Sequence, residues 1–177
     1  MKLFGVKLTV APSAYLWLLL LWGILTFIPY RLIGLPFTQS LIGALIALLF
    51  HLLSVYWHDF GHALAARSTG YPMTGIHLFS VIAATLYPAD EPPLPAIIHI
   101  RRALGGPIAS AILSLIALIL WWQLGDSSIW GQYGDVASLV LAFFCLENFL
   151  VFTMQVVLPF GFNDGATLYK WLPKLRN

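Results

Sequence analysis

The chain has 177 residues, of which 60% are hydrophobic and 9% charged, with a mean hydropathy of +0.87. An ordinary soluble domain carries roughly 25% charged residues, so this composition excludes a water-soluble globular protein. Nine basic against seven acidic residues leave a scattered net charge of +2, too little for a nucleic-acid footprint. The single Cys145 rules out a disulfide framework or a CxxC pair.

A bilayer core about 30 Å thick needs about 20 apolar residues per helix, and charge-free runs place four such spans. Leu8 to Tyr30 is the first. It is longer than a signal-peptide core and lacks an A-x-A-like exit, which predicts a retained helix. Leu32 to His58 is the second, separated from the first by Arg31 and followed early by the turn residues Gly34-Leu35-Pro36. Between Arg67 and Arg102, the stretch 71–87 carries Ile76, Phe79, Val81, Ile82, Thr85 and Tyr87, which predicts a short membrane-edge hairpin. A proline-rich loop, Pro88 to Pro95, follows. Ala103 to Gly125 is the third span, opened by Gly105-Gly106-Pro107 and closed by the Trp121-Trp122 interface pair. The fourth runs from Val136 to about Phe162, interrupted by Glu147 and Pro159-Phe160-Gly161. The expected fold is therefore an all-α bundle of about four transmembrane helices with one short hairpin, in a single domain over 1–177.

Lys and Arg in short loops favour the cytoplasmic side. Lys2, Lys7, Arg67, Arg101, Arg102, Lys170, Lys174 and Arg176 all fall on one side of this topology, and only Arg31 on the other. Both termini are expected in the cytoplasm.

The chemistry gathers at the end of the second span, in His58-Asp59-Phe60-Gly61-His62. Residues i and i+4 share a helix face, so both imidazoles can reach one metal ion while the acid lies at its flank. Two histidines that merely satisfy local hydrogen bonds are the plainer alternative, but ionisable groups in an apolar span are functional by default. Catalytic zinc takes three protein ligands and keeps an open position. Asp164 is the best third ligand: Pro159, Gly161 and Gly165 break the fourth helix there, and broken backbone at membrane depth must be buried or line a cavity. An Asn163-Asp164-Gly165 helix cap is the competing reading.

These segments, in this order, resemble the site-2 protease family of intramembrane zinc metalloproteases. His58 to His62 matches its H-E-x-x-H helix, Gly105-Gly106-Pro107-Ile108-Ala109-Ser110 its A-G-P-x-x-N segment with Ser110 in place of Asn, and Leu158 to Gly165 its L-P-x-P-x-L-D-G segment, with Asn148 upstream. The resemblance implies one Zn²⁺ held by His58, His62 and Asp164, and Asp59 as the general base. It also implies cleavage of an unwound transmembrane segment of a membrane-protein substrate, which pairs with the 71–87 stretch as an added strand. The 177 residues leave no room for the PDZ and CBS appendages of some members, so the resemblance implies a minimal core. Asp59 departs from the family's Glu. Its carboxylate is shorter by one C–C bond, about 1.5 Å, and a misplacement of 1 Å can cost about 10²-fold. A slow enzyme, a compensating helix shift, or a zinc-binding pseudoprotease that holds membrane partners all fit that change. A small transporter or haem-binding bundle using His51 and His58 would leave the Asp164 segment unexplained.

His51 and Glu147 are expected to pair inside the membrane, which would offset both desolvation costs; a proton relay or substitute base at Glu147 is the sharper alternative. His77 and His99 are expected at the interface.

Overall fold

The computed structural model describes residues 2–3, 5–161 and 163–175. Phe162 and Arg176, which enter the fourth span and the basic C-terminus of the sequence reading, lie outside the described residues. Four helices are long and apolar enough to cross a membrane, and they form the bundle expected from the sequence.

Their boundaries differ from the charge-free runs for local reasons. Leu8, Thr9 and Val10 are not helical: Lys2–Leu3 (β1) and Val6–Val10 (β2) are strands. Helix α1 begins only at Pro12 and runs to Ile28. The ring of Pro12 pushes Ala11 into an extended conformation (φ −74°, ψ 147°) and fits the first helical position, where no N–H is needed. Only Ala14 and Thr26 of α1 are buried, as befits a helix apolar all round and facing lipid. A wide π-type turn, Pro29–Ile33, ends at Gly34 in the left-handed region (φ +86°). Pro36 then precedes helix α2, Phe37–Ser68. Thus α2 starts later than Leu32 and continues past His58, which places the His-Asp-Phe-Gly-His segment inside a helix rather than at its end.

After α2 come β3 (Gly75–Leu78) and β4 (Ala83–Leu86), antiparallel with Gly75 opposite Leu86 and Leu78 opposite Ala83. The expected hairpin is present, but it belongs to a four-stranded sheet in the order β1-β2-β3-β4, in which β2 pairs parallel to β3 from Lys7 opposite Gly75 to Val10 opposite Leu78. Strand pairing so remote in sequence leaves no local signature. Val6, Ala63, Ala66, Met73 and Ile76 form one apolar cluster, and Ala14, Val55, Leu78 and Phe152 another. Together they fix the sheet against α2 and the fourth span.

Helix α3 spans Ala96–Leu124, starting after Pro95 and two turns earlier than Ala103. Gly105-Gly106-Pro107 therefore lies within the helix, and the glycines serve contact rather than initiation. A Cβ on Gly61 would fall 2.3 Å from the Gly105 carbonyl oxygen, and one on Gly105 would fall 2.4 Å from that of Gly61, so α2 and α3 cross with their backbones touching. In lipid, where apolar side chains gain nothing by leaving the bilayer for a neighbour, such small-residue contacts are what join helices.

A short helix α4 (Ser127–Trp130) leads into α5, Gly134–Leu146. From Glu147 to Thr153 the fourth span widens into a π-helix, tightens into a 3₁₀ turn at Met154–Val157, and stops before Leu158. Helix α6, Asp164–Trp171, follows the break.

Candidate metal centre

The middle of α2 supplies His58, Asp59 and His62, all buried. Helical spacing brings the two imidazoles onto one face with Nε2 atoms 3.1 Å apart. Asp164, the first residue of α6, approaches them with Oδ2 at 3.2 Å from His58 Nε2 and Oδ1 at 3.3 Å from His62 Nε2. The break in the fourth span sets its position. Asn163 caps α6 by accepting from the Ala166 N–H at 2.8 Å and donates to the Leu158 carbonyl at 2.7 Å. A Cβ on Gly165 would strike the carbonyls of Gln155 and Leu158 at 2.5 Å, so glycine lets α6 seat directly under the 3₁₀ turn. The cap is thus made by Asn163, and Asp164 is left to face the histidines.

Two nitrogens and a carboxylate oxygen are a catalytic-zinc donor set, and bonds of about 2.0–2.1 Å in a tetrahedral site separate ligand atoms by about 3.3–3.4 Å. The two nitrogens lie 3.1 Å apart and each is 3.2 to 3.3 Å from a different oxygen of the Asp164 carboxylate, a spacing close to what such an ion requires. Among the described residues these three form the one group of His, Cys, Asp or Glu that could hold a metal. Asp164 Oδ2 is buried and has no hydrogen-bond donor in acceptable geometry, as suits an atom that faces a cation. Burial pushes the Asp164 carboxyl up, but the imidazoles beside it more than offset this and hold it at about 2, so it is a carboxylate at ordinary pH.

The outer ring nitrogens are also engaged. His62 Nδ1 donates to the Arg102 carbonyl at 2.8 Å, and His58 Nδ1 lies 3.0 Å from Ser110 Oγ. The Arg102 carbonyl can only accept, so its bond puts the His62 proton on Nδ1 and leaves Nε2 free for a metal, and the Ser110 hydroxyl can accept from His58 Nδ1 to the same effect. Gly106 forms the wall of the group: a Cβ there would fall 2.3 Å from His62 Nε2 and 2.6 Å from His58 Nε2.

A cavity of about 400 Å³ opens beside the three residues, lined among others by Asp59, Gln155 and the β4 residues Ala83, Ala84 and Thr85. The Asp59 carboxyl makes no hydrogen bond among the described residues. β4 is the outer strand of the sheet, with its second edge unpaired among the described residues.

Gln155, whose Nε2 lies 3.2 Å from His58 Nε2, was not singled out from the sequence. Its signal was an amide just before the helix break. Asn148 is fully buried away from the cavity lining and donates to Ser54 Oγ and the Phe144 carbonyl, both at 2.8 Å. Arg102, counted above only as a topological charge, is buried. Its guanidinium donates to Glu91 at 2.9 and 2.5 Å and to the Tyr71 carbonyl at 2.6 Å, and it lies 4.1 Å from the Tyr87 ring centroid. Burial of this arginine ties the proline-rich loop to the helix that carries the carbonyl partner of His62. His77 pairs with Thr9 Oγ1 at 2.9 Å on the sheet, and His99 stacks on Trp171 with centroids 4.0 Å apart. His51 and Glu147 pair at 2.5 Å, and the Phe152 ring neighbours both His51 and His58, with centroids 6.4 and 5.3 Å away.

No protein-family model and no curated protein sequence matches the chain. Among solved structures it is similar to the site-2 protease from Methanocaldococcus jannaschii, with a TM-score of 0.61 and 15% identity over 99% of this chain and 71% of that one. At that identity the likeness is one of fold: this chain has the helical membrane architecture of a site-2 protease.

Proposed function

We propose that the chain is an intramembrane zinc metalloprotease that cleaves a transmembrane segment of another membrane protein. The observation that carries the reading is the convergence of His58, His62 and Asp164 at zinc-site spacing beside an unpaired strand edge. His58, His62 and Asp164 would hold Zn²⁺, which when bound supplies Lewis acidity to activate water and polarise a carbonyl. Asp59 takes the proton of the attacking water and returns it to the leaving amine. A helical amide keeps its carbonyl bonded within the helix, so the substrate must unwind first. The free edge of β4 offers backbone donors and acceptors that replace those lost on unwinding. Gln155, whose amide donates to the Phe152 carbonyl at 3.3 Å and lines the cavity, would turn from that bond to donate to a substrate carbonyl.

The shorter carboxylate at Asp59 favours one second reading, a zinc-binding pseudoprotease that holds membrane partners without hydrolysis. Purified protein in detergent, incubated with membrane-protein segments and assayed for zinc in the same sample, separates the two. Cleavage that is lost on chelation and restored by zinc supports the enzyme. Stoichiometric zinc with no cleavage of any segment supports the pseudoprotease.

A further inference from the structure

His51 lies seven residues before His58, and both of its ring nitrogens face oxygen acceptors. Nδ1 is 2.5 Å from Glu147 Oε1 and Nε2 is 2.6 Å from the carbonyl oxygen of Val81, in the turn between β3 and β4. A carbonyl only accepts, so Nε2 must carry a proton. The second contact needs a proton as well, whether on Nδ1 or on Oε1. The pair is net neutral in either arrangement, as an interior membrane site requires. One imidazole therefore bridges the first residue of the π-helix in the fourth span to the hairpin turn.

The turn needs such an anchor. Its own closing bonds are long: the N–H groups of Phe79 and Ser80 reach the Ile82 carbonyl at 3.4 Å, and the Ile82 N–H reaches Ser80 Oγ at 3.3 Å. On the β3 side, Ser13 Oγ holds the Phe79 carbonyl at 2.8 Å and the Ala11 N–H holds the Leu78 carbonyl at the same distance. On the β4 side, Ala83 packs against the apolar clusters of α2 and Phe152, and among the described residues the bond from His51 to Val81 is the hydrogen bond that ties the turn itself to α2. Ile82, Ala83, Ala84 and Thr85, which follow directly, line the cavity beside His58, His62 and Asp164.

We infer that the His51–Glu147 pair is a positioning element: through the Val81 carbonyl it clamps the start of β4 to the fourth span and so fixes where the strand edge lies over the metal group. Its consequence for cleavage rests on the reading of that edge as the substrate's docking strand. The clamp itself does not, and it can be read without turnover.

The test is hydrogen exchange of backbone amides in the full chain in detergent. Replacing His51 alone would strand a buried carboxyl, so the informative variant is the double change His51→Leu with Glu147→Leu, which removes both partners together. Amides at 81–86 should exchange about ten-fold or more faster, the scale of one lost charge-assisted hydrogen bond. Amides at 75–78, in the strand paired to both β2 and β4, should change less, and those of α3 should stay protected, which shows that the fold is retained. Glu147→Gln is the conservative control: its amide donates to Nδ1 while Nε2–H keeps Val81, so exchange at 81–86 should match the parent. With an extended membrane substrate, the double variant should raise KM and leave kcat nearly unchanged. Parent-like exchange at 81–86 in the double variant, or loosening in Glu147→Gln equal to it, overturns the clamp. A parent protein that cleaves nothing defeats the protease reading, while the exchange data still decide the clamp.

Discussion

A methyl group added at Gly106 tests the candidate metal site without replacing any proposed ligand. The Cβ of Gly106→Ala would lie 2.3 Å from His62 Nε2 and 2.6 Å from His58 Nε2 and Cε1. Ordinary contact begins near 3.4 Å, so one imidazole must retreat by about 1 Å, and each is tied through Nδ1, to the Arg102 carbonyl or to Ser110. Losing such a support costs about 10- to 100-fold in metal affinity, and here a displaced ligand atom adds to it. Zinc affinity should therefore fall by about 100-fold or more, close to 2.7 kcal/mol. The metal-free protein should not be weakened comparably, because Ala in a helix gains about 0.5–1 kcal/mol over Gly. A chelator-competition titration of purified protein measures the affinity, and thermal unfolding of the stripped protein measures the fold. Gly23→Ala, with open space around its Cβ in α1, is the control that should leave zinc binding alone. Unchanged zinc affinity in Gly106→Ala would refute the placement of the ion among these three side chains.

Single alanine replacements of His58, His62 and Asp164 should each lower bound zinc well below one per chain; full occupancy by elemental analysis in His58→Ala or His62→Ala would remove those residues from the site. With both termini in the cytoplasm, cysteines placed at Lys7 and Lys174 should escape an impermeant thiol reagent in intact cells and react after lysis; labelling of both without lysis reverses the orientation. The Arg102 guanidinium beside Glu91 holds that carboxyl below its ordinary range. A depressed carboxylate stabilises the fold above its unfolded-state value and loses that contribution as pH falls through the folded-state value. Glu91→Gln should therefore loosen the proline-rich loop at neutral pH, seen as faster exchange at Ala89, Asp90, residue 91 and Leu94, and the difference from the parent should vanish in acid. A difference that persists unchanged in acid would show that the ion pair is not what docks the loop.

Much of the bundle was legible because lipid leaves few alternatives: long charge-free runs must be helices, and four were counted. Boundaries were less legible, since charge marks where a chain leaves apolar surroundings and not where its backbone changes. Ala11-Pro12 and Pro95-Ala96 set the starts of α1 and α3, and both signals were present but outweighed by apolar counting. The parallel pairing of β2 with β3 joins Lys7 to Gly75 and could not be read locally. The histidine spacing is a property of one helix and survives any packing, whereas Gln155 enters the cavity only through a π-to-3₁₀ transition that no periodicity announces. Glycines 105 and 106 read as a helix opening because their real task, contact with α2 and with two imidazoles, is visible only across the helix interface.

Asp59 decides between an enzyme and a binding protein, and the structure makes that a question of reach. It lies buried in the same helix as both histidines and lines the same cavity, and among the described residues its carboxyl is tied down by no hydrogen bond. An unbonded side chain can turn toward a water, and this partly offsets its being shorter by about 1.5 Å. If Asp59 is the working base, Asp59→Asn should keep zinc and abolish hydrolysis, because the amide preserves shape and cannot accept the proton. Asp59→Glu should then hold or raise the rate, measured as kcat on one membrane substrate at fixed zinc occupancy. In a pseudoprotease the parent and Asp59→Asn would be equally inactive, and only Asp59→Glu could gain turnover. Unimpaired cleavage by Asp59→Asn would remove Asp59 from the chemistry altogether. Glu147 would be a poor substitute, since it is engaged with His51 and is absent from the lining of the cavity that Asp59 shares with the three residues. The first pattern is the expected one: the carboxyl chemistry is retained, the cavity admits the side chain, and nothing among the described residues holds it away.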